Sequence, residues 1–390
     1  MLALLAPGQG SQTPGFLAPW LDLPGVADRV RWHGTVAGRD LLTAGADPDF
    51  PDVVDTAVAQ PLIVAAGLAT APLLGDLPMG TPVAGHSVGE FTAAVLAGAL
   101  DPSAGLALVG ERGRAMAEAS ARTDGGMTAI LGGDADEVER AVSAAGCVVA
   151  NHNGAGQAVA AGPRAALERL AAAPPAGARL RPLSVAGAFH TELMAAAQRV
   201  LADVAAGVSA KDPRLPFVSN ADGAVVDRGS ELVARLVAQV SRPVRWDSCM
   251  QTLGAMGVTA VIELPPAGTL TGLVRRALPG VRTVALRGPD DLDEARALIA
   301  EFAHVDVSPL LPWRVLVAPV GGTFRAEPVV PGDKLPEGTE VGRVVSHRDE
   351  TAVRTAHGGV LVEWLAQDGD PVAPGQALAR LHPETADVVA

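Results

Sequence analysis

The 390-residue sequence predicts an α/β body with an inserted subdomain and a small all-β unit behind it. Three observations carry that prediction. P-V-A at 82–84 runs into G-H-S-V-G-E and then an alanine-rich stretch, and strand, glycine turn, helix is the local pattern of an α/β sheet. Residues 126–186 read β-α-β-β-α-β, the ferredoxin-like order. Finally, G-D-K-L-P-E-G-T-E-V-G-R-V at 332–344 lines up with G-D-P-V-A-P-G-Q-A-L-A-R-L at 369–381, an offset of 37. Such a repeat implies a pseudo-symmetric β unit.

The elements follow in order. Leu2 to Ala6 is a short apolar run ending in P-G-Q-G-S-Q, a buried strand followed by a loop. Residues 56–71 read as a small-residue helix, 90–99 as the helix after the glycine turn, and 104–121 as a helix carrying Glu111, Arg112 and Arg114. M-T-A-I-L-G, C-V-V-A-N-H-N-G, Q-A-V-A-A-G and A-R-L-R-P-L-S-V are the strands of the insert. Two helical segments separate them, D-A-D-E-V-E-R-A-V-S-A-A and P-R-A-A-L-E-R-L-A-A-A. The α/β body resumes at His190 and ends near 303, 304–312 is a proline-marked linker, and 313–384 is the β unit.

Composition narrows the function. Hydrophobic residues make up 48 %, enough for a large core, whereas aromatics are 3 % and tyrosine is absent. The core is therefore built from Ala, Val and Leu, and no tyrosine can act as an acid. A net charge of −13 argues against general nucleic-acid or anionic-membrane binding. Cys147 and Cys249 give neither a disulfide framework nor a cysteine zinc site. The N-terminus lacks a basic region ahead of its short apolar run, so no signal peptide is expected. No charge-free apolar stretch of about 18 residues is expected either, which makes a cytoplasmic protein the default.

The chemistry centres on Ser87. G-x-S-x-G is either a tight turn of small residues or a nucleophile elbow that stands a hydroxyl at the sheet edge beside a helix N-terminus. A serine nucleophile needs a base. His190, in S-V-A-G-A-F-H-T-E-L-M, follows a strand-like run and has the best context of the eight histidines. Arg112 is either solvated beside Glu111 and Arg114 or a planar fork that grips a carboxylate through two parallel hydrogen bonds. The loop P-G-Q-G-S-Q is either a turn or a set of backbone N–H groups aimed at an oxyanion.

Four separated segments then coincide: A-P-G-Q-G-S-Q, G-H-S-V-G-E, E-R-G-R-A-M and G-A-F-H-T-E-L-M. With N-H-N-G-A-G-Q-A-V-A-A-G, A-Q-V-S-R-P-V-R-W and I-E-L-P-P-A-G-T-L-T-G-L, they make 1–303 resemble the malonyl-CoA:acyl carrier protein transacylase family. Polyketide synthase acyltransferase domains share the pattern. The resemblance implies an α/β-hydrolase-like body with a ferredoxin-like insert. It implies that Ser87 takes the acyl group, that His190 is base and then acid, and that the Gln239 carbonyl orients the imidazole. Gln9 and Val88 match the oxyanion-hole positions, and Arg112 the residue that binds the malonyl carboxylate. Phe189 resembles the malonyl-preferring form of the motif, and Asn153 lies in a segment near the family's cleft. The implied partners are malonyl-CoA and an acyl carrier protein, with no metal and no nucleic acid or membrane. Arg275 and Arg276 offer a basic face for an acidic carrier, or simply a solvated helix face. One departure occurs: the family's E-x-G-P-G is replaced by Glu263-Leu264-Pro265-Pro266-Ala267-Gly268, so the loop is expected to differ in shape.

The C-terminal unit resembles a biotinyl/lipoyl attachment domain, a barrel-sandwich with a modified lysine at a hairpin tip. That alignment puts Arg348 at the lysine position, and the chain's lysines are Lys211 and Lys334. No biotin or lipoate is expected, leaving a docking module or a stabilising appendage. The rivals for the body are a serine thioesterase or other hydrolase, a trans-acting polyketide acyltransferase, and a non-catalytic scaffold. Hydrolases of this type place their histidine late, after an H-G-G-G-type loop, a pattern this chain lacks.

Overall fold

The computed structural model describes residues 1–303, 314–346 and 349–382. The chain divides into two compact units at about residue 304. The expected linker, 304–312, and Arg348 lie outside the described residues.

The first unit is built on a six-stranded sheet ordered Arg282–Ala285, Ala260–Glu263, Leu2–Ala6, Val83–Gly85, Phe217–Val218, Val225–Val226. Its first five strands are parallel and the last is antiparallel. A parallel sheet has both faces covered, which is why Leu2–Ala6 is a continuous apolar run and wholly buried. Helix Pro102–Ala121 starts where Asp101 accepts from the Ser103 N–H at 2.8 Å, with proline in the first turn. Helix Gly89–Leu96 stops short of the expected 99, because Gly98 turns the chain at φ 76°.

The run from 56 to 74 corrects the expectation about membrane-length segments. Thr56–Leu74 carries no charge and is, at 19 residues, long and apolar enough to cross a membrane, yet 83 % of it is buried inside the protein. It is a core helix. Asp55 caps it by accepting from the Ala57 N–H at 2.7 Å, and its small residues let helices Gly89–Leu96 and Pro102–Ala121 pack against it.

Between these elements sits the insert, in the β-α-β-β-α-β order read from the sequence. Its antiparallel sheet runs Ala178–Pro182, Gly125–Gly132, Gln157–Pro163, Val148–Gly154. A fifth strand, Val244–Arg245, comes from the body and pairs parallel to Val148–Gly154. That join ties the insert to the body and is too short to show in hydrophobic periodicity. Helices Ala135–Ala144 and Arg164–Ala172 close a separate small core around Ile130, Val142 and Leu170.

In the departing loop, the Pro265–Pro266 peptide is cis and Gly268 takes φ 129°. The buried Glu263 carboxylate accepts from the N–H groups of Gly268, Leu270 and Thr271 at 2.8–2.9 Å, capping helix Thr269–Ala277. Arg275 and Arg276 stand on that helix and are exposed. Arg275 donates to Thr283 at 2.8 Å and Arg276 to Gln157 at 2.9 Å.

The C-terminal unit has two four-stranded sheets. One is ordered Arg314–Val317, Ala377–His382, Gly359–Trp364, Lys334–Leu335. The other is ordered Glu350–Arg354, Glu340–Val345, Gly322–Ala326, Pro371–Val372. The 37-residue offset carries Lys334–Leu335 onto Pro371–Val372 and Glu340–Val345 onto Ala377–His382, so each sheet draws strands from both halves of the repeat. Phe324, Val344, Leu378 and Leu381 fill the core between them.

Candidate active site

Strand Val83–Gly85 lies at the middle of the parallel sheet, and the chain turns sharply at its end. Ser87 sits at that turn with φ 52°, a left-handed conformation that a side-chain-bearing residue holds only where the surroundings impose it. The flanking glycines permit the corner. A Cβ on Gly85 would fall 2.0 Å from the Gly89 carbonyl carbon, and one on Gly89 would fall 2.2 Å from the Ala6 oxygen. Both positions are therefore closed to any other residue. The small residues answer to backbone crossing, and the serine is what they expose.

His190 also has positive φ, 60°, and is buried. Its Nε2 lies 2.8 Å from Ser87 Oγ, and its Nδ1 lies 2.7 Å from the Gln239 carbonyl oxygen. A carbonyl only accepts, so Nδ1 carries the proton and Nε2 presents its lone pair to the hydroxyl. Burial, and then the charge of Arg112, push the His190 pKa down to about 3. The imidazole is thus neutral and ready to accept a proton. We expect kcat/KM to show no inflection near the ordinary histidine value of about 6.5 on the acid side. A pH profile that falls through that value would show a histidine with ordinary solvation instead.

Arg112 is fully buried, against the solvated alternative. Its guanidinium donates to Gln60 Oε1, to Gln239 Oε1 at 2.8 Å and to Ser87 Oγ at 3.3 Å, and stacks 5.8 Å from the Phe91 ring centre. Those partners are neutral, and Nε has none among the described residues. A fork held by amides beside a reactive hydroxyl keeps its charge available for an incoming anion. Burial lowers its pKa to about 10, still well above neutrality.

A cavity of about 80 Å³ brings together Gln9, Ser87, Val88, Arg112, Phe189 and His190. Val88 is the N-cap residue of helix Gly89–Leu96, whose first N–H groups, on Gly89, Glu90 and Phe91, turn back to the His86, Ser87 and Val88 carbonyls at 3.0–3.1 Å. Gln9 donates through Nε2 to Thr56 at 3.1 Å. Gln239 stands behind the imidazole, as its motif implied.

Asn153 is placed differently from the expectation. Its Oδ1 lies 2.9 Å from His86 Nε2, and Asn151 lines the cavity instead, with its buried Oδ1 unpartnered among the described residues. Register irregularities between Val149 and Asn151 and between His152 and Gly154 break the strand's alternation. Sequence reasoning also missed Gln60, Glu90 and Asn220. Gln60 and Glu90 lie inside helices, and Asn220 follows a two-residue strand, so no spacing marks them.

A hydroxyl on a strained elbow, a neutral buried imidazole and a buried guanidinium share one cavity, an arrangement suited to acyl chemistry through a serine nucleophile. Residues 5–302 match the family model described as acyl transferase domain, and the chain belongs to that family. It is 48 % identical over 298 residues to the malonyl CoA-acyl carrier protein transacylase of Mycobacterium tuberculosis, covering 75 % of this chain and 99 % of that one. The Escherichia coli transacylase of the same name is 34 % identical over 305 residues, covering 76 % of this chain and 99 % of its own length. A crystal structure of the M. tuberculosis protein superposes with TM-score 0.73 at 48 % identity over 76 % of this chain and 99 % of the other. A malonyl-transacylase solved with a type II polyketide acyl-carrier protein superposes at 0.72, 31 % identical, covering 76 % of this chain and 99 % of that one.

Proposed function

We propose that the chain moves a malonyl group from malonyl-CoA to the phosphopantetheine thiol of an acyl carrier protein in fatty acid synthesis. The observation that carries this is the buried Arg112 fork 3.3 Å from Ser87 Oγ, which suits an acyl group bearing a free carboxylate. The carboxylate pairs with Arg112. Ser87 Oγ attacks the thioester carbon while His190 Nε2 takes the hydroxyl proton. The oxyanion forms beside the Gln9 and Val88 N–H groups. The C–S bond then breaks, the CoA sulfur takes the proton from His190, and a malonyl-serine ester remains. The carrier thiol attacks that ester with His190 again as base, and the proton returns to Ser87. Phe189 borders the acyl space, and its bulk supports malonyl over branched analogues. Intact-mass analysis after mixing with malonyl-CoA tests the reading. One malonyl adduct per chain is expected, and accumulation of free malonate without an adduct would point to a hydrolase.

The C-terminal β unit, in this reading, is a barrel-sandwich that carries no biotinyl or lipoyl group, because arginine cannot form the attachment amide. Lys334 lies in strand Lys334–Leu335, not in the segment between Glu340–Val345 and Glu350–Arg354. The family model matches within the first unit, and three quarters of this chain covers the relatives above almost end to end. A chain ending at residue 303 is therefore expected to fold and to transfer malonyl within about twofold of the full-length rate, an effect within the range of an ordinary surface change. Loss of turnover on truncation would assign the β unit a part in the reaction.

A further inference from the structure

We propose that Glu90 is a positioning residue that holds the Ser87 elbow and the His190 acceptor in one register. The inference rests on the reading of Ser87 and His190 as the reacting pair.

Glu90 is 1 % exposed, one helical turn beyond the serine. Its Oε1 accepts from the Asn220 backbone N–H at 2.6 Å, and its Oε2 accepts from Gln239 Nε2 at 2.6 Å. Each of those residues holds one half of the site. Asn220, fully buried, accepts from the Ser87 N–H through Oδ1 and donates through Nδ2 to the Gly85 oxygen, both at 2.8 Å. One amide thus clamps the elbow on both sides of the turn. Gln239 donates through Nε2 to the Ser87 oxygen at 3.1 Å, accepts from Arg112 through Oε1, and supplies the carbonyl that meets His190 Nδ1. These two residues, 19 positions apart, meet directly through one long hydrogen bond, Gln239 Nε2 to Asn220 Oδ1 at 3.4 Å, and the shorter 2.6 Å bonds join them through a common anchor. The carboxylate is that anchor. Burial pushes the Glu90 pKa up to about 8, and the N–H donors on both oxygens, with the nearby Arg112 charge, favour the ionised form against it. In that form both oxygens accept, which a glutamine side chain cannot do: its NH2 would face either the Gln239 NH2 or the Asn220 N–H. Burying a carboxyl away from water is costly, and a stabilising contact alone has apolar alternatives of similar volume. A site that needs two fixed acceptors has none.

Glu90→Gln separates positioning from simple support of the fold. The burst of acyl-enzyme on mixing with malonyl-CoA counts competent sites, and its rate reads alignment at each site. We expect the rate per competent site to fall on the order of a hundredfold, as for a misplacement of about 1 Å between reacting groups. Reaction of Ser87 with a sulfonyl fluoride should fall in parallel, whereas the Kd for malonyl-CoA in a Ser87→Ala background should move by less than about twofold. A wild-type rate per site, with only a lower melting temperature or fewer competent sites, would overturn the proposal. If Glu90→Gln does not fold, Glu90→Asp takes its place. It keeps a carboxyl group but draws it back by one methylene from the Asn220 N–H and Gln239 Nε2, so the same loss is expected and a wild-type rate overturns the proposal. A wild-type enzyme that forms no adduct marks failure of the underlying functional reading instead.

Discussion

Ser87→Ala is expected to abolish the malonyl adduct and to lower turnover on the order of a millionfold, the scale seen when a serine nucleophile is removed. The hydroxyl is the only group at the elbow facing both the His190 Nε2 lone pair, at 2.8 Å, and the Arg112 guanidinium, at 3.3 Å. Alanine tolerates the turn no better than serine, since both carry a Cβ at φ 52°, so the fold should persist with no new strain. Circular dichroism should then match the wild type while mass spectrometry finds no acyl-enzyme. An adduct that survives in this variant would place the nucleophile elsewhere, and the two buried cysteines would be the first groups to test.

Arg112→Ala has the second-largest expected effect, and its signature is selectivity. The change strips a donor from Gln60 and Gln239 and, on the proposed reading, removes the cation that would pair with the malonyl carboxylate. An unpaired carboxylate in a partly dry site costs about 2–5 kcal/mol. Loading from malonyl-CoA should therefore fall roughly thirtyfold to several thousandfold at 1.4 kcal/mol per tenfold. Acetyl-CoA has no carboxylate to lose, so its loading should change far less. Arg112→Lys should not restore the rate, because a point charge cannot span both amide acceptors and the substrate at once. Equal losses for malonyl and acetyl donors would mean that the arginine serves the architecture and not the acyl group.

Ser87 and His190 were legible because each sits in a local signature, a glycine corner and a strand end, whereas Arg112, one of several charges on its helix, was picked out through the motif E-R-G-R-A-M. The insert was legible because its strands and helices alternate with distinct periods. Glu90, Asn220, Gln60 and Asn151 were not. Their roles exist only through partners far along the chain, such as the 130 residues between Glu90 and Asn220. Periodicity reports which face is apolar, and a polar residue on a buried face reads as noise until its partner is placed. The charge-free run of Thr56–Leu74 stands in the sequence itself, and what composition does not distinguish is a helix wrapped in protein from one wrapped in lipid. Asn153, which only the resemblance singled out, bonds His86 Nε2 at 2.9 Å beside the cavity that Asn151 lines.

The shared sheets of the C-terminal unit have a consequence for its origin and its assembly. Since each sheet takes two strands from either half of the repeat, neither 37-residue half has a complete sheet of its own to fold onto. A lone half would present open strand edges and an uncovered apolar face, which the other half covers. The unit is in this sense a swapped dimer written into one chain. Fragments severed between Ser346 and Asp349 should be individually unstructured and should regain their strands only when mixed.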